Sequence, residues 1–228
     1  MFAAIGDLLR AQFRFLLFRP ILPDLKRHFW PYFVFILLIT WVVGIGRYWD
    51  HPNAQLWQYA GLGSVVYLFV LSAILYLIVA PLRPSNWRYS TVLIFVGLTS
   101  FPALLYAFPI ERFVELQLAK SVNAWFLAIV ATWRVSLLVK FLLTVAKLDW
   151  FSTIVATILP LSAIVTTLAA LNLEHVVFDL MAGIRPANAS PYDTAYVILV
   201  SITVVAFYTF PVAAVGYVGA IIYRRRKL

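Results

Sequence analysis

Six stretches of the chain, near residues 29–46, 59–82, 90–109, 122–146, 150–171 and 195–223, carry apolar residues almost without interruption. Each is long enough to cross a hydrocarbon core, which takes about 20 helical residues. The pattern breaks between them at "DHPN" (50–53), "PLRPSN" (81–86) and "GIRPANASPYD" (183–193), all rich in turn and breaker residues. A different period precedes the first run. Phe2, Ile5, Leu9, Phe13 and Leu16 recur at spacings of three and four, while Asp7, Arg10 and Arg14 fall on another face. That pattern predicts an amphipathic helix lying in the headgroup plane. Asp7, Arg10, Arg14 and Arg19 also interrupt any signal-type apolar core, so the segment is expected to be retained. The expected fold class is all-α. It comprises a cytoplasmic amphipathic segment at 1–28, a polytopic transmembrane bundle of six spans over 29–223, and a basic cytoplasmic tail at 224–228.

Composition agrees with a membrane chain. The sequence is 64% hydrophobic and 12% charged, against about a quarter charged in soluble domains. The net charge of +9 reads as orientation rather than nucleic-acid binding, because the cations sit beside apolar spans. With six spans, both termini share one side, and that side collects thirteen of the 18 Lys and Arg, against four on the other. Arg134 alone is left inside a span. The positive-inside bias makes the termini cytoplasmic, and a bacterial cytoplasmic membrane is the expected location. Trp30, Trp49, Trp57, Trp87, Trp125 and Trp150 fall at span ends, as amphipathic rings prefer, whereas Trp41 and Trp133 must pack in the bundle or face lipid.

With no cysteine there is no thiol chemistry and no disulfide. The most conspicuous polar residue is Arg134, about 18 Å into its span by helical rise, where no acid lies at matching depth in another span. The third span offers a substitute in Thr99, Ser100 and Pro102. Pro102 cannot donate to the carbonyl of Leu98, so Arg134 is expected to bind this broken turn and its hydroxyls, either as a bundle staple or as part of a transport path. Thr153, Thr157, Pro160 and Thr167 share a face of the fifth span, and Thr209 and Pro211 precede Gly216, Gly219 and Ala220 in the sixth; close helix packing is the favoured use. Asp50 with His51, and His175 with Asp179, are weak metal candidates whose spacing matches no metalloenzyme motif, so neither metal nor cofactor is expected. Asn188 opens an "NAS" acceptor that matters only if that side is an endoplasmic-reticulum lumen. "GIG" at 44–46 and "GLG" at 61–63 lack the context of a phosphate loop and suit close helix contact.

Two stretches carry a resemblance. "YSTVLIFVGLTSFPALLYAFP" (89–109) and "FLAIVATWRVSLLVKFLLTVAKLDWFSTIVATILP" (126–160) are similar to the third and to the fourth and fifth spans of the Yip-type (Ypt/Rab-interacting protein) family of small polytopic membrane proteins. The chain departs from that family in having "RPSNWRY" before the third span, Arg after Trp133, and a sixth span. The resemblance implies non-enzymatic membrane organisation and membrane-protein partners, with no residue-level site to carry over.

The leading expectation is thus a non-catalytic protein that organises membrane or recruits partners. Its contact surface would be the basic face of Arg10, Arg14, Arg83, Arg88, Arg224, Arg225, Arg226 and Lys227, which also suits anionic headgroups. The alternative is a small-solute or ion transporter or channel subunit built on Arg134. A metal-dependent or intramembrane enzyme ranks third and requires His51 and His175 to converge.

Overall fold

The structure is a computed structural model and describes residues 2–19, 25–49, 55–108, 110, 113–172 and 194–227. Among these residues all regular structure is helical. In chain order the helices are α1 (Phe2–Leu16), α2 (Leu25–Tyr48), α3 (Leu56–Tyr59), α4 (Leu62–Val79), α5 (Tyr89–Leu98), α6 (Leu116–Thr144), α7 (Trp150–Ala170) and α8 (Thr194–Lys227). Short 3-10 turns follow α4 (Ala80–Leu82) and α5 (Phe101–Ala107). Five segments are long and apolar enough to cross a membrane: His28–Gly46, Leu62–Leu82, Ser121–Thr144, Trp150–Ala170 and Val200–Arg226.

The apolar run at 90–109 takes another form. Its α-helix stops at Leu98, turns through Thr99 and Ser100, and resumes as the 3-10 segment. Pro102 accounts for the break: it has no N–H for the Leu98 carbonyl, and its ring would press on that oxygen in a continuous helix. At the start of the 3-10 segment the same proline needs no donor and fits. α2 changes direction for a related reason. Its backbone leaves helical geometry at His28, and Pro31 then occupies the first turn of the renewed helix, where an N–H would be unpaired anyway.

The chain divides into two compact units, Met1–Phe108 with Trp133–Leu148, and Pro109–Thr132 with Asp149–Leu228. In the first, α5 is the centre: every residue from Val92 to Ser100 is buried, on all faces of the helix. α2 runs parallel to it. A Cβ at Gly97 would meet Ile36, the Thr40 hydroxyl lies 3.3 Å from that of Ser100, and a Cβ at Gly46 would meet Ala107. The two segments therefore keep step, residue for residue, across the break. α4 returns antiparallel. Gly44 packs on Gly61 so closely that a Cβ would sit 2.6 Å from the Gly61 carbonyl oxygen, and Trp41 Nε1 donates to Ala60 O at 2.7 Å. At the far end Trp87 Nε1 donates to Tyr76 O and Tyr89 donates its hydroxyl to Phe69 O. The last part of α6 stacks Phe141 on Phe95, ring centroids 4.0 Å apart.

In the second unit α7 and α8 are antiparallel, with Asp149 paired to Arg224 at one end and Val155 against Gly216 further along. Ala206, Ala213 and Ala220 recur every seven residues as a buried seam of α8, which allows the backbones to approach. On α7, Thr153, Thr157 and Pro160 are buried, whereas Thr167, in the last turn, is exposed despite sharing their side by rotation.

Candidate functional site

At the turn from Leu98 to Pro102 the sequence points to a free carbonyl and to an arginine that takes it. The carbonyl is taken by a different residue. Gln12, on α1, donates its side-chain amide to Leu98 O at 2.8 Å and is itself 1% exposed. Because a carbonyl only accepts, the amide nitrogen must face it, which leaves Gln12 Oε1 buried without a partner among the described residues. Thr99 donates its hydroxyl to Val96 O at 2.7 Å and Ser100 interacts with Thr40, so the turn's own hydroxyls are also engaged. The expected contact of Arg134 with Leu98, Thr99, Ser100 and Pro102 is therefore not formed. Arg134 is half-buried on α6, and among the described residues no hydrogen bond or ion pair holds it.

What α6 contributes comes from the neighbours of Arg134. Trp133 Nε1 donates to Leu16 O at 3.0 Å, and Lys140 donates to Phe18 O while its ammonium lies 5.9 Å from the Phe18 ring centroid. Seven residues apart, Trp133 and Lys140 lie on nearly the same helix face and hold the last carbonyl of α1, at Leu16, and that of Phe18 in the turn that follows. The end they cap is a Schellman turn: Arg19 N donates to Arg14 O, Phe18 N donates to Phe15 O, and Phe18 is left-handed with φ 57. Glycine usually fills that position, since a side chain there costs about 1–2 kcal/mol. The contacts of Lys140 with both the carbonyl and the ring of Phe18 offset the strain.

These contacts also decide which face of α1 is covered. The apolar face predicted from spacing is Phe2, Ile5, Leu9, Phe13 and Leu16. The buried stripe instead runs through Gln12, Phe15 and Leu16, with Phe15 meeting Phe95 edge to face, while Leu9 and Phe13 stay 40% and 56% exposed. A donor is needed at Leu98 O, and centring the contact on Gln12 rotates the helix accordingly. Asp7, Arg10 and Arg14 lie opposite Gln12 and are exposed.

The remaining basic residues divide. Arg83 and Arg88 are exposed in the loop between α4 and α5, Arg83 in a left-handed turn. Arg225 and Arg226 are exposed at the end of α8, and the side chain of Lys227 lies outside the described residues. Arg224 is spent on structure. It meets Asp149 at 3.0 Å, and Asp149 in turn caps α7 by accepting from Ser152 N at 3.1 Å and Ser152 Oγ at 2.9 Å. Partial burial by itself raises the Asp149 carboxyl, but the bonds from the Ser152 backbone and hydroxyl and from Arg224 outweigh it and hold the group below its ordinary value. Asp50, His51, His175, Asp179 and Asn188 lie outside the described residues. Among the described residues no group of three His, Cys, Asp or Glu could hold a metal.

Sequence reasoning finds the acceptor at Leu98 but not its donor. A lone glutamine at the spacing of Phe15 and Leu16 in an otherwise sharply divided helix is the available signal. No family model, curated protein or solved structure matches the chain.

Proposed function

We propose that the chain is a six-span, non-enzymatic membrane protein with cytoplasmic termini, whose basic face recruits partners or lipid. One observation favours this reading over a transport path. The broken turn at Leu98, the feature a permeation path would use, is closed by the chain's own Gln12 and by its own hydroxyls. The polar groups of this turn are thus engaged in contacts within the chain.

The sixth crossing draws support from register. α5 has ten residues and rises about 15 Å, and the seven residues of the 3-10 segment add about 14 Å. Together they approach the roughly 30 Å of a hydrocarbon core. They also run beside α2 from Gly97 at Ile36 to Ala107 at Gly46, so they travel as far as a helix that is itself long enough to cross. Exposed Arg10, Arg14, Arg83, Arg88, Arg225 and Arg226 then belong to one side, where they attract anionic headgroups and acidic partner segments.

A second reading, a small-solute or ion transporter, rests on half-buried Arg134, which lacks a partner among the described residues. Purification in mild detergent and flux measurements in proteoliposomes separate the two. The recruiting reading expects a stoichiometric membrane-protein partner that is lost when Arg225 and Arg226 are both changed to Gln, and no solute or ion flux. Flux that Arg134→Leu abolishes in a normally folded protein overturns it.

A further inference from the structure

We propose that α1 is embedded in the cytoplasmic leaflet, below the headgroups, and that its arginine edge binds the phosphate of lipid headgroups drawn down to that level. The inference rests on the reading that α5 starts its crossing at the cytoplasmic interface.

Depth follows from what α1 touches. Phe15 meets Phe95, Gln12 reaches Leu98 and Phe13 meets Phe101, with the two ring pairs 6.0 and 6.1 Å apart. All three partners fall within two turns of α5 and the following segment. Leu98 is the last of the ten residues of α5, about 15 Å beyond its start beside Trp87 and Arg88. That is about half of a hydrocarbon core. Lys140 and Phe18 mark a shallower level, because Lys140 stands four residues, about 6 Å, before the end of α6. α1 thus descends from the interface into the leaflet instead of resting on it.

Its surface suits that place in two different ways. Leu9, Phe13 and Leu17 are 40%, 56% and 64% exposed on one flank, where acyl chains fit them. Arg10 and Arg14 are exposed along the edge opposite Gln12, with Asp7 as the acid beside them. Exposed guanidinium groups at such a depth require polar company, and local thinning that brings headgroups and water down to them is the low-cost solution. A lipid phosphate matches the planar, doubly donating guanidinium and neutralises its charge. Free inorganic phosphate carries the same chemistry but has no chains to fill the apolar flank beside it.

The chain lacks cysteine, so single cysteines can be placed without background. A bimane on Phe13→Cys and another on Arg88→Cys are compared in bilayers whose lipids carry a nitroxide either near the glycerol or near the chain end. Phe13→Cys is expected to be quenched several-fold better by the deep nitroxide, and Arg88→Cys by the shallow one. If both are quenched best by the shallow nitroxide, α1 lies in the headgroup plane and the inference fails. If Arg88→Cys is itself deep, the topology underneath it fails instead. In the second arm, anionic phospholipid retained through purification is quantified for the wild type and for a protein carrying both Arg10→Gln and Arg14→Gln. A several-fold loss that added inorganic phosphate does not reproduce in the wild type supports a lipid phosphate. Unchanged retention, or equal displacement by inorganic phosphate, overturns the assignment.

Discussion

Among the described residues Gln12 makes one hydrogen bond and leaves one buried oxygen without a partner, so its two polar atoms pull the stability in opposite directions. Leaving a buried carbonyl unpaired costs about 1–3 kcal/mol, and removing an orphaned acceptor returns part of that. Gln12→Met, which deletes both atoms at similar volume, is therefore expected to cost about 1 kcal/mol. Gln12→Glu at neutral pH sets a carboxylate against the Leu98 oxygen and is expected to cost several kcal/mol. Thermal midpoints in one detergent check the order; equal losses would mean that packing, not the amide, is what Gln12 supplies. Arg134→Leu, which removes no bond at the turn, is expected to leave the midpoint nearer the wild type than Gln12→Glu does. At this scale the sequence makes half of the contact readable. A proline announces the carbonyl it strips of a donor, but the donor arrives from 86 residues away and nothing local marks it.

Helix contacts sort the glycines by what surrounds them. Gly97 leaves no room: an added Cβ would lie 2.5 Å from Ile36 Cβ, on the buried central helix. A Cβ added at Gly219 on α8 would meet no neighbouring atom within 4 Å among the described residues. Gly97→Ala is expected to lower the midpoint clearly, whereas Gly219→Ala should be neutral or raise stability by up to about 1 kcal/mol from helix propensity. The same melts would show both changes as equal if the α2 contact were absent. A second test at this scale concerns acid. Asp149 is held below its ordinary value of 3.8, so the ion pair and cap it forms between the ends of α7 and α8 are fully present above that value and are lost as pH falls through the lower folded one. Wild-type midpoints should therefore drop on entering the region below about pH 4. Asp149→Asn keeps the cap but not the pair; it should start slightly less stable at neutral pH and lose less on acidification. Long apolar runs make five of these helices legible from the sequence. The break at Thr99 is legible only as a kink, because whether a proline bends a helix or converts it to 3-10 depends on the neighbour beside it, here α2.

Across the whole molecule, the number of crossings is the property on which the proposed sidedness of the basic residues depends. Single cysteines read it directly. A membrane-impermeant thiol reagent is expected to modify Arg88→Cys and Lys147→Cys from one side of sealed vesicles and Phe108→Cys from the other. Labelling of Phe108→Cys from the same side as Arg88→Cys would show that the 3-10 segment turns back. The bias of Lys and Arg along the chain is enough to suggest a sidedness. It cannot reveal that Arg224 is engaged by Asp149, since a count of charges treats a paired arginine and a free one alike.

The clasp on α1 also has an order in time. Its acceptor at Leu98 lies 86 residues downstream of Gln12, and Trp133 and Lys140 lie 117 and 122 residues beyond the carbonyls they cap. α1 therefore has to wait for the synthesis of most of the chain before its docking site exists. Its seating marks the completion of its unit rather than the beginning.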